Sequence, residues 1–285
     1  METFERDGLV FDVTDSGPDG GEVVVLLHGF PQDRTAWTGV ADRLNAAGLR
    51  TLAPDQRGYS PGAAPTGRAA YDIKELIGDV VALIKASGQE KVHVVGHDWG
   101  GAVAWSIATH RPDLVSSVTV CSTPHPGAMA WAMQHGGQWR KSWYMAAFNL
   151  PLLPELYLMR TMESMYQRTR LPKEYADRYV QRFRTRESLR GPLGWYRSLS
   201  SRGSLLANAR PKKSGSPGSR RVTVPATYLW GNKDFALGRA AALKTADYVE
   251  GPYRFIELGA GHWLPEVRTD EVSEAILERV HSLGS

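Results

Sequence analysis

Short apolar runs alternate with amphipathic stretches along the first 121 residues. Val23 to Leu27 is apolar throughout, as expected for a strand buried on both faces. Leu49 to Ala53, Val92 to Val95 and Ser117 to Cys121 read as further strands. Residues 3–14 alternate loosely and break at Asp7-Gly8, which predicts an antiparallel hairpin. Between the strands, Ala36 to Ala47 is a helix candidate. Tyr71 to Ser87 carries Ile73, Leu76, Ile77, Val80, Val81 and Ile84 at helical offsets. A helix-like segment follows from Ala102 to about His110. Strands alternating with helices of this length predict an α/β fold: a mostly parallel sheet, helices on both faces, right-handed crossovers.

The pattern changes after Ser122-Thr123-Pro124-His125-Pro126-Gly127. No parallel-strand run appears up to about residue 210. Helices are predicted over Ala128 to Gln134, Trp139 to Phe148, Leu153 to Tyr166, Lys173 to Arg184 and Gly191 to Ser201. The α/β pattern then resumes with strands at Val222 to Trp230 and Tyr253 to Leu258 and a closing helix from about Pro265 to Ser282. The expected organisation is a core domain of residues 1–126 and 211–285, interrupted by an all-helical cap over residues 127–210.

Composition adds limits. The chain has 285 residues, 42% hydrophobic and 22% charged, enough for one large domain with an insertion. Its net charge of +4 is no nucleic-acid footprint by itself. Arg210-Pro211-Lys212-Lys213 and Arg220-Arg221 lie among Ser, Gly and Pro and read as a solvated loop. The single cysteine, Cys121, excludes an intrachain disulfide and sits in an apolar run. No apolar segment follows Met1, and no run reaches the ~18 apolar residues of a membrane span. A soluble cytoplasmic protein is expected, with neither nucleic acid nor membrane as partner; oligomeric state is not legible.

The Val92 to Val95 run leads into Gly96-His97-Asp98-Trp99-Gly100 and then a helix. Glycines two before and two after the central residue mark a sharp strand–turn–helix elbow, where bulkier neighbours would clash. The familiar elbow carries Ser; here it carries Asp98. An exposed Asp, with a pKa of roughly 3.9, is an anion at neutral pH and needs no base to attack. Attack on an sp³ carbon gives an ester that water can hydrolyse, whereas attack on an acyl carbon would give an anhydride. The Asp therefore points to epoxides or alkyl halides. The plainer alternative is a glycine-rich turn with an Asp helix cap.

Asp98, Asp234 in Gly231-Asn232-Lys233-Asp234 and His262 in Gly261-His262-Trp263 each follow a predicted strand, in the order nucleophile, acid, histidine. Catalytic groups gather at that edge of such sheets. This order, with His28-Gly29-Phe30-Pro31, resembles the α/β-hydrolase fold. Asp55-Gln56-Arg57-Gly58-Tyr59-Ser60 and the elbow are similar to the soluble-type epoxide hydrolases, over nearly the whole chain. The elbow and His-Gly-x-Pro pieces are shared with haloalkane dehalogenases. In the cap, Ser142-Trp143-Tyr144 and Gly194-Trp195-Tyr196-Arg197 resemble the two tyrosine segments of epoxide hydrolase caps.

The resemblance implies that Tyr144 and Tyr196 bind the epoxide oxygen, whose opening leaves an alkoxide in need of a proton. It implies an oxyanion hole from the backbone N–H groups of Phe30 and Trp99. Phe30, Trp99 and Trp143 are expected to contact substrate. His28, Gly29 and Pro31 shape the loop, with a cis Phe30-Pro31 bond. His262 activates water against the Asp98 ester and Asp234 orients it. The remaining histidines, His97 among them, read as structural. No Cys/His cluster suggests a metal, and no cofactor is expected. The expected activity is hydrolysis of a small-molecule epoxide to a vicinal diol. The alternatives are a haloalkane dehalogenase, or a non-catalytic ligand-binding protein on the same fold. In many dehalogenases an Asn follows His-Gly, and here that position is Phe30.

Overall fold

The computed structural model describes residues 1–199 and 221–283. Its strands are β1 (Thr3–Arg6), β2 (Leu9–Ser16), β3 (Val23–Leu27), β4 (Arg50–Pro54), β5 (Val92–His97), β6 (Val115–Cys121), β7 (Ala226–Gly231) and β8 (Tyr253–Leu258). They form one sheet in the order β1-β2-β4-β3-β5-β6-β7-β8. Only β2 runs antiparallel to its neighbours, β1 and β4; the other pairings are parallel. All residues of β3, β5 and β7 are buried, which fits the unbroken apolar run of β3 and leaves His93 and His97 of β5 buried as well. The chain steps from β3 to β4 through α1 (Thr38–Ala46), then back past β3 to β5 through α2 (Ile73–Ser87). That reversal opens a crevice at the carboxyl ends of β3 and β5.

A buried charge cluster fixes the loop after β4. Arg57 Nε and Nη2 each donate to Asp79 on α2 at 2.7 Å, and Arg6 Nη1 adds a third bond at 2.9 Å. Between β6 and β7 the described chain is helical: α4 (Pro126–His135), α5 (Trp143–Ala147), α6 (Leu153–Arg168), α7 (Lys173–Arg182) and α8 (Arg186–Ser198). These helices pack on the loops at the carboxyl edge. Tyr166 donates to the Pro31 carbonyl, Trp195 Nε1 to Arg57, Arg182 to Asp55, and Lys141 to the Asp234 carbonyl. The boundary expected at 210/211, the helix end at Ser201 and the basic residues Arg210, Lys212, Lys213 and Arg220 lie outside the described residues. Among the described residues no helix is long and apolar enough to cross a membrane.

Several elements differ from the sequence pattern for identifiable reasons. The strand expected from Val222 starts at Ala226, because Pro225 has no N–H for the ladder; Val222 makes only an isolated bridge with Val249. The helix expected over Trp139 to Phe148 is a 3-10 turn (Gln138–Arg140) followed by the separate, five-residue α5. The helix expected from Gly191 begins five residues earlier. Thr185 and Ser188 form a capping box there, and Pro192 is held inside the helix. The closing helix is two, Leu264–Val267 and Thr269–His281. A short helix at Arg239–Lys244 was too brief to register as a period.

Candidate active site

Asp98 follows β5 directly and caps α3 (Trp99–His110), with φ 49° and ψ −121°. A non-glycine residue in the positive-φ region is strained and persists only where its surroundings fix it. The glycines explain how they do so. A Cβ on Gly96 would collide with the Gly100 carbonyl, and one on Gly100 with the Leu27 carbonyl. A Cβ on Gly29 would strike the Asp98 side chain itself. The loop after β3 is thus pressed against the elbow, and the Phe30 N–H donates to Asp98 Oδ1 at 2.8 Å. The Phe30-Pro31 bond is cis. The Trp99 N–H opens α3 and has no intrahelical acceptor. The Phe30 N–H meets the Asp98 carboxylate, and α3 directs its positive end toward the elbow.

His262 follows β8, and its Nδ1 lies 2.8 Å from Asp234 Oδ2. Its Nε2 lies 3.6 Å from Asp98 Oδ2. Asp234 Oδ1 is held by the N–H groups of Ala236 and Leu237 at 2.7 and 2.9 Å, so the buried carboxylate is fixed in direction. Burial works against the His262 charge, but the Asp234 and Asp98 carboxylates overcome it and raise its pKa to about 10. Burial likewise works against the Asp98 charge; His262 and the Phe30 N–H outweigh it and hold Asp98 below the usual carboxylate range. The resting arrangement is a carboxylate–imidazolium–carboxylate row. It can supply a ready nucleophile and, once the Asp98 charge is removed, a histidine less committed to its proton.

The two tyrosines meet above Asp98. Tyr144 sits on α5 and Tyr196 on α8, with ring centroids 6.1 Å apart. Tyr196 is buried edge-to-face against Trp99 at 5.1 Å. Burial raises both phenols, Asp98 adds to the effect, and each stays a neutral donor. A cleft of about 590 Å³, partly open to solvent, is lined by Asp98, Trp99, Tyr144, Tyr196, Met129 and Leu237, among others. Its wall is largely apolar, so it suits a substrate with a hydrophobic body.

The fold brings together Asp98, Asp234, His262, Tyr144, Tyr196, Trp99 and the Phe30 N–H. Two substrate-contact expectations are corrected. Trp143 is 66% exposed and does not line the cleft. It adjoins Tyr144 on a short helix, so turning Tyr144 inward turns Trp143 out. The Phe30 ring packs edge-on against Tyr196 and Phe148, at 5.4 and 5.9 Å, and it too is absent from the cleft wall. His28 is buried and braces the loop: its Nε2 accepts from the Gln56 N–H at 3.2 Å.

Sequence reasoning missed the support behind the site. Gln138 and Lys141 of the insertion bond to the loop that carries Asp234. His97, read as structural, bonds both to Gln32 and to the His262 carbonyl, at 2.8 Å each. Gln32 reaches Glu266, 234 positions away in the chain. His97 and Gln32 adjoin the quoted motifs, but nothing in the sequence pairs them with Glu266.

Comparison with known proteins gives consistent results. A family profile described as alpha/beta hydrolase fold matches residues 22–269. The chain is 34% identical to AB hydrolase superfamily protein YfhM of Bacillus subtilis (strain 168), covering 95% of this chain and 94% of that protein. It is 30% identical to Epoxide hydrolase A of Mycobacterium tuberculosis (strain ATCC 25618 / H37Rv), over 96% and 95% of the two chains. The crystal structure of Epoxide Hydrolase A from Mycobacterium thermoresistibile superposes with a TM-score of 0.81 at 29% identity, covering 98% of this chain and 97% of that one.

Proposed function

The chain belongs to the α/β-hydrolase fold family, among its epoxide hydrolases, and from that premise we propose how its own residues open an epoxide. The enzyme hydrolyses a small-molecule epoxide with water to a vicinal diol. The observation that carries the residue assignment is the ionised Asp98 facing two neutral tyrosines across one apolar cleft. Residues 127–210 act as a cap that supplies those tyrosines, and the enzyme works in the cytoplasm.

Asp98 Oδ2 attacks a ring carbon, and that carbon's bond to the ring oxygen breaks. Tyr144 and Tyr196 donate hydrogen bonds to the oxygen, and one gives up its proton, later regained from solvent. Asp98 is now an ester with no charge. Two consequences follow from charge alone. The phenols lose the anion that raised them, so they become better acids as the alkoxide forms. His262 loses one of its two carboxylates, so its proton affinity falls and it can release its resting proton and act as a base.

Neutral His262 then takes a proton from water, and the oxygen of that water bonds to Asp98 Cγ. The Oδ1 oxyanion is met by the Phe30 and Trp99 N–H groups. Collapse breaks the Cγ–Oδ2 bond; the departing diol oxygen takes the proton from His262, and the new Asp98 carboxyl passes its remaining proton to His262, which restores the resting carboxylate and imidazolium. A halide would leave without a proton and would make the tyrosines idle. A panel of epoxides and haloalkanes, scored for diol and for released halide, tests the reading. Diol from epoxides is expected, and halide release without diol formation would overturn it.

A further inference from the structure

Tyr144 is carried by an element that does not place it unaided. α5 has five residues, too few for a helix to be stable by itself, and none of them reaches full burial. Its position is therefore set by what holds its ends. At its start stands Ser142, itself buried, whose hydroxyl accepts from Gln138 Nε2 at 3.0 Å.

The same buried amide reaches the loop after β7. Gln138 Nε2 donates to the Ala236 carbonyl at 2.7 Å, and Oε1 accepts from the Gly238 N–H at 2.9 Å. These two backbone groups bracket Leu237, which lines the cleft. The Leu237 and Ala236 N–H groups are the ones that hold Asp234 Oδ1. Lys141 Nζ adds a bond to the Asp234 carbonyl at 2.7 Å. The approach is close: a Cβ on Gly238 would stand 3.0 Å from Gln138 Oε1.

The partners dictate the residue type. A carbonyl can only accept and a backbone N–H can only donate, so the side chain between them must offer one of each. The second hydrogen of the amide goes to Ser142. A carboxylate would lack the donors. An apolar side chain would leave the Ala236 carbonyl and the Gly238 N–H without these partners, in a buried place.

We propose that Gln138 is a positioning residue that sets two parts of the site with one amide: the direction of the Asp234 carboxylate, and the place of Tyr144 above Asp98. The proposal rests on the roles given above to Asp234 and Tyr144. The first link runs through the turn at Ala236 and Gly238, the second through Ser142 into α5. The amide touches neither substrate nor reacting atoms. It registers the segment that brings a proton donor on the loop that carries the triad acid, so both half-reactions depend on it.

The Asp234 link has its own signature. Asp234 and Asp98 raise His262, so an Asp234 turned away would let the His262 pKa fall. The other titratable groups facing His262 are His97 and Glu266. Of these four, only Asp234 sits on the loop that Gln138 holds.

The test uses two variants, each checked for folding by circular dichroism. Gln138→Met keeps the length of the side chain and removes all three bonds, whereas Ser142→Ala removes the α5 link alone. Single-turnover measurements give the rates of Asp98 alkylation and of ester hydrolysis. Gln138→Met is expected to slow both steps by about tenfold, the worth of one to two hydrogen bonds, and to move the pH limb of ester hydrolysis to lower pH. Ser142→Ala is expected to slow alkylation and to leave hydrolysis and its limb where they are. Lower stability with unchanged rates, a loss confined to one step, or an unmoved limb in Gln138→Met overturns the proposal. So does wild-type alkylation in Ser142→Ala, which decides the matter if Gln138→Met does not fold. Tyr144→Phe in the same assay tells the failures apart. If it too alkylates at the wild-type rate, the role of the tyrosine fails; if it alone is slow, only the role of Gln138 does.

Discussion

Removing one phenol at a time separates the two halves of the reaction. Tyr196→Phe keeps a ring that packs against Trp99, Phe30 and Phe148. Tyr144→Phe keeps the contact with Phe148. Each change therefore removes a hydroxyl at the cleft with little cost in packing. What is lost is one hydrogen bond to an oxygen that becomes an anion. Hydrogen bonds to charged groups contribute about 1.5–3 kcal/mol, which corresponds to about 10- to 150-fold in the rate of Asp98 alkylation. The double mutant loses both donors and the proton source, so it is expected to fall well below either single variant. Ester hydrolysis is expected to be less affected, because its oxyanion forms at Oδ1, beside the Phe30 N–H. Rapid-quench single-turnover measurements on the four variants, with folding checked by circular dichroism, give both rates. Unchanged epoxide alkylation in the folded double mutant would refute the role given to the tyrosines.

Asp98→Ala is expected to fold and to give no diol; wild-type activity in the folded variant would remove Asp98 as nucleophile. The raised pKa of His262, about 10 against roughly 6.5 unfolded, sets a sign for stability. Its contribution is fully present below about pH 6.5 and is lost as pH rises towards 10. Denaturant titrations of wild type and His262→Gln across that window should show the wild type losing more stability. Arg57→Ala leaves Asp79 buried with only Arg6 as its charge partner. A loss of about 3 kcal/mol, the lower end for breaking a buried pair, is expected from denaturant midpoints.

Much of the site was legible because its chemistry sits at strand ends. Asp98 and Asp234 follow runs that the sheet buries throughout, and His262 follows the partly exposed edge strand β8, whose aromatic and β-branched residues still mark a strand. The tyrosines were found through their neighbours in sequence, and the fold, not the sequence, brings their rings together. Trp143 was misjudged because residues 139–148 were read as one helix. The break after Arg140 resets the helical phase, and a helix of five residues carries too few turns to fix which side faces inward. The late start of β7 follows from a single missing N–H at Pro225. Gln32 and Glu266 escaped notice for a different reason. Each is an ordinary polar residue in its own stretch, and their significance lies in a contact across 234 positions.

The covalent ester is the central claim, and His262→Gln tests it most directly. This variant keeps Asp98 at the elbow and both tyrosines but lacks the base for the second step. Mixed with an epoxide in a single turnover, it is expected to gain the full mass of one substrate molecule, with the added mass on the peptide containing Asp98. Intact-protein and peptide mass spectrometry read this out. Arrested turnover with no added mass would contradict the ester intermediate.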